Sequence, residues 1–114
     1  MKRLAALAWA LCLPAAPAWA QEADAKVAVY AFGSARYARD VTRAAHCESL
    51  DQPRLARING RFKAARRALV ARFGEHFPAE DPAPMPIAPR PCDPLLLAAY
   101  AAQVSQLEQA AKAP

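Results

Sequence analysis

The stretch DQPRLARINGRFKAARRALVARFG, residues 51–74, sets Leu55, Ile58, Phe62, Ala65, Leu69 and Phe73 at intervals of three and four. Those intervals return each apolar side chain to one face of a 3.6-residue spiral, so the pattern predicts an amphipathic helix over residues 53–73. Asp51 stands where a side-chain oxygen can accept from a free N–H of the first turn, Pro53 suits that turn, and Gly74 suits the C-terminal cap. Asn59 and Gly60 form a pair that can also turn the chain. The apolar phase passes through them unbroken, so a continuous helix is expected at a cost of about 1 kcal/mol for the glycine.

Working outward toward the C-terminus, Asp93 and Pro94 open a second periodic segment. Leu97, Tyr100, Val104, Leu107 and Ala111 make a stripe over residues 94–112, read as a helix packed on its own domain. Between these helices, residues 78–94 hold seven prolines. Such density excludes helix and sheet, and residues 77–93 are read as a stiff extended connection. A proline-rich docking ligand is the other reading of the same residues.

Toward the N-terminus, Val27, Tyr30, Ser34, Tyr37, Val41, Ala44 and Glu48 fit a helical period. A helix is expected over about 34–49. Residues 24–33 stay open between helical extension, irregular arm and short strand, because KVAVYAF also has β-branched and aromatic content. A lone strand would have no partner to pair with.

The chain opens MKRLAALAWALCLPAAPAWA, with Lys2 and Arg3, an apolar run from Leu4 to Leu13, and Ala18 and Ala20 at the small positions of a cleavage site. This is the three-part pattern of a secretory signal peptide over residues 1–20, with cleavage expected after Ala20. The apolar run is too short to span a bilayer, and no later stretch reaches the roughly 20 apolar residues a span requires. Cys12 lacks the surroundings of a lipid-attachment site and is read as part of the removed segment. Export leaves Cys47 and Cys92, and an even count in an oxidising compartment favours a disulfide between them.

The geometry allows that bond. A helix over 53–73 is about 30 Å long, and the proline-rich connection can reach about 40 Å, enough to run back along the middle helix to its beginning. Cys92 would then meet Cys47, four residues before Asp51. The expected fold is all-α: one small domain over residues 21–114, with three helices, a Pro-rich extended connection and one disulfide after a cleaved signal peptide.

Chemistry is sparse. The sequence has no C-x-x-C pair, no Gly-rich phosphate loop and no H-E-x-x-H, and its three glycines are scattered at Gly33, Gly60 and Gly74. His46, Cys47, Glu48 and Asp51 are the nearest approach to a ligand group. Neighbours on a helix point in different directions, however, and Cys47 is expected to be oxidised. No metal, cofactor or catalytic residue is assigned, and no enzyme activity is expected.

Without Lys2 and Arg3, thirteen basic residues face ten acidic ones, a net charge of +3. Arg54, Arg57, Arg61 and Arg72 fall along one flank of the middle helix, and a basic amphipathic helix can bind anionic lipid or polysaccharide. A solvated surface explains the same residues. No aromatics outside the core stripe interleave with them, so nucleic acid is not an expected partner. The expected role is a periplasmic or secreted, non-enzymatic interaction or accessory protein of the cell envelope with a protein partner. Binding of an anionic envelope component through residues 53–73 is the alternative.

Overall fold

In a computed structural model of the protein, residues 18–45, 47–77 and 83–112 are described. Most of the expected signal peptide, His46 and residues 78–82 of the connection lie outside them. Among the described residues there are three α-helices: α1 (Ala18–Ala44), α2 (Gln52–Phe73) and α3 (Leu96–Lys112). A single 3₁₀ turn, Gly74–His76, follows α2. The all-α expectation and the Cys47–Cys92 pairing both hold, with the two Cα atoms 5.0 Å apart.

The first helix takes the helical-extension alternative at its start, beginning at Ala18, and differs from expectation at its end. Residues 24–33 are helical, and the helix stops at Ala44 rather than 49. Alanines at 25, 28, 31 and 35 supply the propensity, and with Phe32 they supply the buried face. At the other end, the Arg90 N–H donates to the carbonyl of Ala44 at 3.2 Å. Ala45 and Arg90 form an isolated parallel bridge, so the chain leaves the helix to pair with the segment before Cys92.

In α2 the expected start holds. The Asp51 carboxylate accepts from the Arg54 N–H at 3.0 Å, and Pro53 lies in the first turn. Asn59 and Gly60 continue the helix. Gly74 stands at the C-cap as expected, with a right-handed φ of −50°, and the chain tightens there into the 3₁₀ turn. In α3 the helix begins two residues later than expected, after a turn in which Asp93 accepts from the N–H groups of Leu95 and Leu96.

The two sequence stripes meet as the core. Ile58, Phe62, Ala65, Leu69 and Phe73 of α2 are buried against Leu97, Tyr100, Val104 and Leu107 of α3. Each large side chain removed from water contributes about 1.5–3 kcal/mol. Phe32 of α1 stacks on Phe62 with centroids 5.7 Å apart and meets Phe77 edge-on at the same distance. Tyr100 lies 6.4 Å from Phe62 and donates to the Asn59 side-chain oxygen at 2.7 Å.

Pairings fix the directions. Asn59 meets Tyr100 and Arg61 meets Ser105 and Glu108, so α2 and α3 run parallel. Asp24 faces Arg72 and Phe32 faces Phe62, so α1 is antiparallel to α2.

Residues 83–92 do not run along the middle helix as the reach argument supposed. They follow the C-terminal half of α1, which offers what an extended backbone lacks. Arg36 donates to the Ala83 carbonyl at 2.6 Å, Asp40 accepts from the Met85 N–H at 3.1 Å, and Ala44 accepts from Arg90. Cys92 then closes on Cys47.

Candidate functional site

The arginines singled out on α2 separate into two kinds. Arg54 and Arg57 are exposed near the start of the helix. Arg61 reaches α3, where its guanidinium donates to both Glu108 carboxylate oxygens and, at 3.1 Å, to Ser105 Oγ. That forked hydrogen bond holds the Glu108 carboxyl below the usual carboxylate range and raises the Arg61 guanidinium further. Arg72 sits 4.0 Å from Asp24 of α1, with its guanidinium 4.8 Å from the Phe73 ring centroid. Two of the four therefore have internal carboxylate partners, leaving Arg54 and Arg57 as the outward charge.

A second charged group was not legible as such. Arg39 and Asp40, adjacent on α1, are only 5% and 3% exposed. Arg39 Nε donates to Asp40 Oδ1 at 3.0 Å, and its guanidinium lies 5.1 Å from the Phe62 ring centroid. The other Asp40 oxygen receives the Met85 N–H and faces Arg36 Nε at 4.0 Å. One buried carboxylate thus joins α1 to the segment before Cys92, which reads as a structural fastening because each partner is internal to the fold.

An exposed surface with a largely apolar lining lies between α1 and α3. An open groove of about 720 Å³ runs there. Its hollow is made by Ala38, Val41, Leu96 and Ala99, and Tyr30 and Tyr37 stand along its α1 side. Tyr30 is 78% exposed, Val27 63% and Tyr37 47%, an unusual outlay of large apolar area on a small chain. Tyr37 is also the acceptor for Arg90 Nη2 at 3.3 Å, which places one cation at the groove's edge.

Of the helical period noted in the sequence for this region, 27–30–34–37–41, Val27, Tyr30 and Tyr37 are exposed, Ser34 is half-buried and Val41 is buried at the floor of the groove. The core is instead filled by Ala25, Ala28, Phe32 and Ala35. Both stripes stand in the sequence at spacings of three and four, and the alanine stripe carries less hydrophobic area, so it is the weaker signal. The presence of two apolar stripes on one helix was the signal that could have identified the groove.

Among the described residues, no three His, Cys, Asp or Glu side chains come together as a metal site. Cys47 is bonded to Cys92, and His76 lies beside Glu75 at 3.3 Å at the far end of α2. No helix among these residues is long and apolar enough to cross a membrane. Compared with known protein families, curated proteins and solved structures, the chain matches none.

Proposed function

We propose that this chain is an exported, non-enzymatic interaction protein of the cell envelope that engages its partner through the groove between α1 and α3. The reading rests on one observation above others: Tyr30 and Tyr37 stand exposed beside an apolar hollow, with Val27 exposed one turn before Tyr30 on α1. Aromatic side chains bury much area at little entropic cost and are enriched where proteins meet. Export is supported by the basic and apolar N-terminal pattern and by the Cys47–Cys92 bond, which persists in oxidising compartments. On this reading the working protein is a single domain from Gln21 onward.

A second reading has its own support. Exposed Arg54 and Arg57 present positive charge at the start of α2, where an anionic lipid or polysaccharide could bind. The two readings predict different contacts. A photo-crosslinking side chain at position 30 should capture protein in the intact envelope, and one at position 57 should not.

Flotation with phosphatidylglycerol vesicles supplies the other arm. Retention at low salt that is lost as salt screens the arginines, together with no capture from position 30, would replace the groove reading with the anionic one.

A further inference from the structure

We infer that the groove between α1 and α3 is filled by the same surface of a second copy of this chain, related by a two-fold axis that crosses α1 near Ser34. The inference deepens the proposed function and rests on its reading of the groove as an interaction surface.

The first ground is the order of residues along α1. Val27, Tyr30, Ser34, Tyr37 and Val41 recur at intervals of three, four, three and four, the spacing of a seam between packed helices. Read from either end the stripe is Val, Tyr, Ser, Tyr, Val. At 1.5 Å per residue the valines lie about 10.5 Å on either side of Ser34, and the tyrosines about 6.0 and 4.5 Å from it. An antiparallel mate centred on Ser34 therefore sets tyrosine level with tyrosine to within about 1.5 Å, and brings exposed Val27 over the groove floor where Val41, only 8% exposed, lies. A two-fold contact requires a surface complementary to itself, and a stripe that is the same in both directions meets that condition.

Shape is the second ground. Tyr30 projects at one end of the stripe, exposed and with its ring unburied, while the hollow of Val41, Leu96 and Ala99 lies toward the other end. The two-fold operation carries each projecting Tyr30 toward the hollow of the other copy. The projection and the hollow are then filled twice by one contact.

The third ground is Gly33, beside the axis. Glycine inside a helix costs about 0.5–1 kcal/mol relative to alanine, and here a Cβ would meet nothing within 4 Å. The same is true of Gly60 inside α2, and Gly33 differs from it in lining the groove, where nothing in its own chain gives it a purpose. A second helix crossing at Ser34 does, because the missing side chain lets the backbones approach.

The stripe is also free of formal charge in a chain with fifteen basic residues. The charged residue among those lining the groove is Arg90, which stands exposed at its edge with a hydrogen bond to Tyr37.

Sedimentation equilibrium of the purified protein tests this, beside Tyr30→Lys and the control Ala64→Lys on the exposed side of α2. The expected result is a dimer whose dissociation constant rises at least about tenfold in Tyr30→Lys and is unchanged in Ala64→Lys, with equal melting of the two variants as monomers. Ser34→Cys should give an interchain disulfide on mild oxidation that Ala64→Cys does not.

A monomer throughout the accessible concentration range, or equal dimerisation of the two lysine variants, overturns the inference. A monomer that still crosslinks from position 30 to a different protein overturns the second copy and leaves the groove as an interaction surface. A monomer with no such crosslink overturns both.

Discussion

Where α2 meets α3 the contact is largely apolar at its centre: Phe62, Leu69, Val104 and Leu107 are fully or almost fully buried, Tyr100 is buried with its hydroxyl on Asn59, and the Arg61–Glu108 pair stands at the margin. Where α1 meets residues 83–92 the order is reversed. That seam consists of a buried carboxylate, an arginine on a carbonyl, one backbone bridge and a disulfide. An apolar seam loses stability in proportion to the area removed from it. A polar seam fails unevenly, since losing one partner leaves others buried and unsatisfied.

The largest effect should come from the disulfide. It closes a sequence separation of 45 residues, for which the chain-entropy model gives about 4 kcal/mol. Cys92→Ser, or reduction of the bond, should lower the melting temperature by on the order of 20 °C for a domain of this size. Thermal unfolding with and without reductant measures it. Coincident curves would mean that the polar seam is held without its covalent link.

Asp40→Ala ranks next, at about 3 kcal/mol. The substitution strips buried Arg39 of a carboxylate partner and removes the acceptor for the Met85 N–H. The figure is placed at the lower edge of the usual range because Arg36, with 22% of its side chain exposed, can turn to water. Proteolysis within residues 83–91 should accelerate in the same variant. A denaturant midpoint within the scatter of surface substitutions, about 0.5 kcal/mol, would erase the distinction between the two seams.

The contrast also explains what the sequence made legible. Leu55 to Phe73 and Leu97 to Ala111 announce their buried faces, because a large apolar residue at every third or fourth position has one economical reading. Asp40 and Arg39 announce nothing, since a charged pair in a list looks like solvated surface. Their burial depends on Met85 arriving 45 residues later in the chain. The course of residues 83–92 was hidden for the same reason: proline density dictates stiffness and reach, while the choice of neighbour was made by Asp40 and Arg36. The groove was half legible. The stripe from Val27 to Val41 was visible, but only the packing of Ala25, Ala28, Phe32 and Ala35 into the core shows that Val27, Tyr30 and Tyr37 face outward.

The smallest predicted effect sharpens the comparison from the apolar side. Glu108→Gln keeps the shape at the margin of the α2–α3 seam and removes the charge that Arg61 grips. Arg61 and Glu108 retain 39% and 31% of their side-chain exposure, so water screens the pair and the loss should be about 0.5 kcal/mol. Its pH dependence identifies it. The forked hydrogen bond from Arg61 depresses the Glu108 carboxyl in the folded state, so the unfolded chain binds the proton more readily than the folded one. The stabilisation is therefore complete above the ordinary glutamate value of about 4.3, and is lost as pH falls through the lower folded value. Denaturant midpoints of the native chain and Glu108→Gln should differ slightly at pH 7 and converge in acid. A difference that persists at low pH would assign the effect to packing rather than charge, and a loss at pH 7 as large as that of Asp40→Ala would show that the margin of the apolar seam is as tightly coupled as the polar one.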